Sequence, residues 1–309
     1  MDHAAQRAVL TLCLMAAEAD GDNDDHERQA LTRAAESLGG GVDVASIYAD
    51  IFSKPDLAAL AAALTTPEDK QVAYEMAVGV CNADGAASAA EREFLSRLAA
   101  ALGLPASATQ PIAQQAASMA SVPPSSSALD GALVAAVPAS DADLDKMIQN
   151  YAILNGALEL LPQSLASMAI IPLQMRMVYR IGKAHGYELD AGHIKDLLAT
   201  LGVGLTSQYL EQFGRKIVGG LLGSIGGGLL GGLGRVGTGA AFSFATTYAL
   251  GQVAKRYYAG GRKIDTAQLQ KAFSDMLVQA KQMQGKYSSQ IAEQARTLDL
   301  SKVMAAIRS

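Results

Sequence analysis

The densest group of potential ligands in this 309-residue sequence is Asp20-Gly-Asp22-Asn-Asp24-Asp25-His-Glu27. Clustered carboxylates suit a hard divalent cation such as calcium. The spacing does not make an EF-hand loop. With Asp20 first, Asp25 stands at the sixth position, where Gly is needed, and Leu31 at the twelfth, where a bidentate Glu is needed. A sparser copy follows at an offset of 64 residues: Asp84-Gly85 repeats Asp20-Gly21, and Glu91 repeats Glu27. The second turn has Ala86 and Ala87 where the first has Asp22 and Asn23, which weakens the case for two equivalent ion sites. The same residues also suit a structural role. Ser88 and Glu91 have capping-box spacing, Asp24 and Glu27 approximate it, and acidic groups in a first turn are favoured by the helix dipole. Asp20, Asp22, Asp24, Glu27, Asp84 and Glu91 are therefore either a site for a divalent cation or cationic partner, or caps on a solvated acidic face.

Other chemistry is sparse. His185 and His193 lie eight residues apart without a metal-triad pattern, which suits exposed or capping roles. Cys13 and Cys81 cannot form a disulfide framework or a cysteine zinc site, and each sits on an apolar run, as a small buried hydrophobe would. Glu159 interrupts an apolar window and reads as a helix surface charge. No phosphate loop, nucleophile elbow, H-E-x-x-H or dinucleotide fingerprint occurs, so catalysis is not expected.

The elements that must position these residues read as helices. Half the sequence is hydrophobic, 18% is charged, and no stretch alternates long enough for strands. The net charge of -5 argues against nucleic-acid binding, but it is unevenly spread. Residues 1–105 hold 7 Lys/Arg and 17 Asp/Glu, a net of -10; residues 106–309 hold 18 and 13, a net of +5. An acidic bundle over 1–105 is thus expected to precede a mildly basic helical domain. Pro55 and Pro67 sit at plausible helix starts, and Leu38-Gly39 and Leu102-Gly103 at helix stops. Pro105, Pro111, Pro123-Pro124, Ser125–Ser127 and Pro138 give 106–140 the composition of a linker, with a transient helix possible over Ile112–Met119. Met1-Asp2-His3 begins no secretory signal, so a cytoplasmic-side location is expected.

The repeated Ala-Asp-Gly, Glu, Leu, Leu-Gly pattern in an acidic helical segment resembles the TerB-like tellurite-resistance domain over residues 1–105. That resemblance implies a bundle of about seven helices with a negative patch around the two turns, carried by Asp20, Asp84, Glu27 and Glu91. It also implies a link to metal or oxyanion stress.

Gly219, Gly223, Gly227 and Gly231 recur every four residues and would form one smooth helix ridge. Such ridges let membrane helices approach closely, whereas in water each Gly costs a helix about 0.8–1 kcal/mol relative to Ala. Ile217–Leu233 is uncharged over 17 residues and Val236–Ala254 over 19. Arg215 and Lys216 precede them, Arg235 separates them, and Lys255 and Arg256 follow. These five residues are the expected flanks of a membrane hairpin over 217–254, within a helical domain 141–262. The first span is slightly short for a hydrocarbon core of about 30 Å, and the alternative is a tightly packed soluble bundle. Ile171-Pro172-Leu-Gln-Met-Arg-Met177-Val-Tyr-Arg-Ile181, His185-Gly186-Tyr-Glu-Leu, and Thr247-Tyr248-Ala-Leu-Gly251 followed by Tyr257-Tyr258 resemble the YcjF-type domain, often found C-terminal to Era-like GTPase domains. This resemblance spans about 150–260 and implies a helical, membrane-associated module, with a separate GTPase or stress-response protein as a possible partner. Within 263–309, Leu269, Phe273, Met276, Ala280, Met283 and Tyr287 form the docking stripe of an amphipathic C-terminal helix.

The expectation is an all-α, two-domain, non-enzymatic adaptor or scaffold. It would work on the cytoplasmic side of a bacterial inner membrane and self-assemble through Gly219–Gly231 or the C-terminal stripe. A membrane-active pore and a soluble self-assembling structural protein are the alternatives.

Overall fold

The computed structural model describes residues 2–21, 55–124, 140–161, 164–201 and 233–303. The protein is all-α, and every regular element among the described residues is a helix. The chain divides into two compact units. The described residues up to Ser121 belong to the first and those from Val122 onward to the second.

Unit 1 contains α1 (His3–Ala17), α2 (Leu57–Ala62), α3 (Pro67–Cys81), α4 (Ala89–Leu102) and α5 (Ala106–Ala120). Helices α1 and α3 are each 15 residues long, start and end at the same 64-residue offset as the two turns, and pack against one another. The repeat is therefore a helix pair in space. Its starts are encoded locally. Asp2 accepts a 2.8 Å bond from the Ala5 N–H, while Thr66 accepts one of 3.1 Å from the Asp69 N–H ahead of Pro67. Gly103, at φ 68°, stops α4 in the left-handed conformation. Leu10, Leu12 and Cys13 of α1, Met76, Ala77 and Cys81 of α3, and Leu98 and Leu102 of α4 are buried.

The first half of the expected linker is helix α5. Thr109, Ile112, Ala116 and Met119 fall on one face and are buried, α5 packs on α3, and Thr109 hydrogen-bonds Tyr74. A stripe of four positions outweighs the Pro, Ala and Ser composition, and Pro111 is tolerated on the exposed side. The expected boundary at 105 accordingly moves past α5.

Unit 2 contains α6 (Asp141–Glu159), α7 (Ser164–Met168), α8 (Ile170–Ala184), α9 (Ala191–Thr200), α10 (Leu233–Ala259) and α11 (Thr266–Thr297). Helix α10 lies at its centre, packed against α6, α8 and α11. It buries Phe244, Ala245, Ala249, Leu250, Val253 and Ala254. From Ala240 onward, the second arm of the expected hairpin is thus the middle of a protein core, and the apolarity of that stretch is accounted for there. Arg235, expected between two membrane spans, lies in the first turn of α10. Among the described residues, no helix is long and apolar enough to cross a membrane. Gly219, Gly223, Gly227, Gly231, Arg215 and Lys216 lie outside the described residues.

Helix α11 belongs to the same unit and is not a separate C-terminal element. Leu269, Met276, Ala280 and Ile291 are buried, with Phe273, Met283 and Tyr287 half-buried. Tyr287 meets Phe244 of α10 at 5.4 Å between ring centroids. The stripe expected to dock onto other copies is therefore covered within its own unit.

Candidate functional site

In unit 1 the two acidic turns are set by different local devices. The chain leaves α1 through Glu18 and reaches Asp20 and Gly21, the latter at φ 74°. It leaves α3 through buried Asn82, whose Nδ2 donates to the Val78 carbonyl (2.8 Å) and whose Oδ1 accepts from the Ala87 N–H (3.3 Å). This side chain clamps the second turn. Ser88 and Glu91 then form a true capping box: Glu91 Oε2 accepts from the Ser88 N–H at 2.7 Å, and Ser88 Oγ from the Glu91 N–H at 3.2 Å. Glu91 is only 8% exposed, whereas Asp20 and Asp84 are exposed. Burial pushes the Glu91 carboxyl above its ordinary range; the Ser88 bonds oppose that, and the charges of Asp20 and Asp84 add to it. The charges of Asp20 from one copy of the repeat and of Asp84 from the other thus both act on Glu91. Asp22, Asp24 and Glu27 lie outside the described residues. Among those described, no three His, Cys, Asp or Glu side chains are placed to hold a metal ion.

Cys13 and Cys81 lie beneath this acidic end, fully buried. Burial pushes Cys13 up to about 12. Burial also raises Cys81, with Glu91 as the next contributor. Both are held as neutral thiols and are poor nucleophiles.

Unit 2 holds a polar seam that sequence reasoning missed. Helix α6 runs antiparallel to α10 and presents Tyr151, Asn155 and Glu159 at successive turns, all buried. Facing them on α10 are Ser243, Thr247 and Gly251. Ser243 Oγ donates to Glu159 Oε2 at 3.2 Å. Thr247 Oγ1 accepts from Asn155 Nδ2 and from Gln174 Nε2 of α8, each at 3.0 Å. Asn155, Gln174 and Thr247 are at most 1% exposed, and Asn155 Oδ1 and Gln174 Oε1 have no hydrogen-bond partner. Gly251 lets the helices close: a Cβ there would lie 2.6 Å from Ile148 Cγ2 and 3.1 Å from Met177 Sδ. Glu159, expected on the surface, is instead 3% exposed inside this seam. Its i, i+4 relation to Asn155 and Tyr151 was a readable signal, since three polar residues on one stripe of an apolar helix must face either water or one another.

Lys255, expected beside a membrane span, is engaged within unit 2. Its Nζ donates to Asp141 Oδ2 (2.9 Å) and Asp145 Oδ1 (2.6 Å) of α6, and Gln252 Nε2 also donates to Asp145 Oδ1 (2.9 Å). Burial raises the Asp145 carboxyl, but the Lys255 and Gln252 bonds outweigh it and hold Asp145 below its usual value. Burial likewise lowers Lys255, and the two carboxylates outweigh that and raise it. Asp145 therefore contributes stability that is complete above the unfolded carboxyl's titration and is lost as pH falls through the depressed native value. Lys255 contributes stability that is complete below the unfolded ammonium's titration and is lost as pH rises through its raised native value. Lys255→Met should lower the urea midpoint of unit 2 at neutral pH. Its deficit against wild type should shrink once acid protonates Asp145; a pH-independent deficit would mean lost packing of the Lys255 stem. Arg256, next along α10, is exposed.

His193 serves a helix cap. Asp190 Oδ1 caps α9 by accepting from the His193 N–H at 2.9 Å and also meets His193 Nδ1 at 2.8 Å. His185 follows the last residue of α8.

Residues 1–116 match the family described as Protein of unknown function (DUF533), which is TerB-like. The match runs through α1–α4 and most of α5, consistent with α5 belonging to unit 1. No curated protein and no solved structure matches the chain.

Proposed function

We propose that the protein is a non-catalytic adaptor that presents its acidic N-terminal bundle at a membrane surface. One observation carries the reading: the charges of Asp20 and Asp84, exposed and from different copies of the repeat, both act on the same buried Glu91. A charged end assembled from two turns is a docking face for a cationic partner, and a divalent ion such as calcium is the smallest such partner. The TerB-like match over 1–116 supports a bundle of this kind and is the basis for an envelope or metal and oxyanion stress role. The YcjF-type motifs of 150–260 support the membrane side. Thr247 and Gly251 of those motifs lie in the buried seam, so in this reading they hold the module together and do not enter lipid. The Gly219–Gly231 ridge would join copies to one another or help hold the chain at the bilayer. A pore is disfavoured, because releasing the Val236–Ala254 arm would uncover Phe244, Leu250 and Val253.

Cell fractionation tests the reading. The full chain should pellet with membranes through low-salt washing, and high salt or alkaline carbonate should distinguish surface attachment from an embedded segment. Recovery in the soluble fraction at low salt would overturn the membrane side of the proposal.

A further inference from the structure

We infer that the end of unit 2 where α8 and α10 finish together is a docking surface for the phosphate headgroups of an anionic bilayer. The inference rests on the membrane-surface reading above and names the face that would make the contact. Helices α8 and α10 are parallel: Gln174 meets Thr247, and a Cβ on Gly182 would lie 3.5 Å from the Tyr258 ring. Their C-termini consequently lie side by side. There the Tyr187 and Tyr258 rings are 5.3 Å apart, as are those of Tyr257 and Tyr258. Tyr258 is buried, while Tyr187 and Tyr257 are half-buried.

Over this aromatic base the chain turns through Gly261 and Arg262, at φ 72° and 61°. Arg262 is the one non-glycine residue with positive φ among those described. Glycine is the ordinary occupant of such a position after a helix, and a side chain held there carries backbone strain of the kind concentrated at functional sites. The Arg262 guanidinium lies 5.9 Å from the Tyr187 ring centroid and hydrogen-bonds Tyr257. The residue is thus strained in order to be aimed.

Hydrogen bonds leave the local carboxylates charged, and the cations Lys183, Arg256, Arg262 and Lys263 outnumber Glu188, Asp190 and Asp265 by one. Glu188 is bonded to Lys183 at 2.5 Å, Asp190 is engaged by His193, and Asp265 caps α11 through the Gln268 N–H at 2.9 Å. Arg256, Arg262 and Lys263 are exposed and form no ion pair among the described residues. Cations near a helix C-terminus complement its dipole, which accounts for Arg256 in the last turn of α10. It does not account for an Arg in left-handed backbone beyond that helix. Half-buried Tyr rings beside unpaired Arg and Lys match the chemistry of a bilayer at headgroup depth, where aromatic side chains settle and each basic residue near an anionic surface strengthens attachment.

Vesicle co-sedimentation of the full chain tests this, using phosphatidylcholine vesicles and phosphatidylcholine–phosphatidylglycerol vesicles. Binding should require phosphatidylglycerol and weaken with salt. Each charge removed should lower it about fivefold, and Arg256→Gln, Arg262→Gln and Lys263→Gln together on the order of a hundredfold. Arg262→Gly separates docking from folding. It should raise the melting temperature by relieving the left-handed side chain, yet bind about fivefold more weakly. Unchanged binding by the triple variant, or equal binding to both vesicle types, would overturn this docking face while leaving membrane attachment through another surface intact. Absence of wild-type binding to either vesicle would also overturn it, and cell fractionation would then judge the adaptor reading separately.

Discussion

Thr247→Val should destabilise unit 2 by roughly 2–6 kcal/mol, because two buried amide donors lose their acceptor at once and each orphaned group costs about 1–3 kcal/mol. The replacement keeps the shape of the side chain, so lost volume contributes little. Asn155 Nδ2 and Gln174 Nε2 both end on this one hydroxyl, and both side chains are buried away from bulk solvent. Their oxygens already lack partners, so turning either amide over only exchanges which atom is orphaned. The contrasting variant is the triple Asn155→Leu, Gln174→Met, Thr247→Val. Removing all members of a partly satisfied network together can be neutral or stabilising, so this chain should recover most of the loss. Urea denaturation of the three proteins decides the matter. A triple variant weaker than Thr247→Val would show that something else satisfies the seam, an internal water being the simplest candidate.

Gly251→Ala should cost about 1–3 kcal/mol by overpacking, although Ala is otherwise the better helix former. The new methyl would fall 2.6 and 2.8 Å from Ile148 Cγ2 and Cγ1, atoms next to the α6 backbone that cannot swing clear as a long side-chain tip would. Ile148→Ala removes those carbons and alone should cost about 2–5 kcal/mol through the cavity it leaves. The two changes together should cost clearly less than their sum, since each fills or empties the same space. Additive losses would place the strain elsewhere. Gly182 makes a useful comparison, because its nearest obstacle is the Leu189 Cδ1 tip, which can move.

Much of the fold could be read from the sequence, and the reasons are local. The Ser88–Glu91 box, Pro67 at a helix start and Gly103 at a stop each rest on local bonds, and the 64-residue repeat shows as residue identities along the chain. The C-terminal stripe was readable as a buried face, but not what would cover it: amphipathicity reports that a helix has a dry side and says nothing of the neighbour. The seam was the larger miss. Val236–Ala254 carries no charge, so hydropathy treats it as apolar, yet Ser243 and Thr247 meet Asn155, Glu159 and Gln174 from distant helices. A polar pair separated by 92 residues leaves no mark in a short window of sequence. The acidic turns were partly readable: Asp84 and Glu91 share one turn, but only the packing of α1 against α3 lets the charge of Asp20 act on Glu91.

The centrality of α10 also sets a timetable. Five polar ties among the described residues of unit 2 join α6 to α10 across 84 to 114 residues of chain. Unit 1 has its described helices in hand once Ala120 is made, whereas α6 must wait for α10. At about 5–20 residues per second, the roughly hundred residues from Glu159 to Ala259 take on the order of 5–20 s to synthesise. During that interval α6 and α8 sit at the ribosome with Leu144, Ile148, Ile171 and Met177 uncovered. The nascent chain is therefore a half-built client, with the described helices of unit 1 made and a sticky, helix-rich remnant awaiting its keystone. Its need for a chaperone should be greatest before α10 emerges, and truncations ending between Thr200 and Leu233 should aggregate while those ending at Ser121 stay in solution.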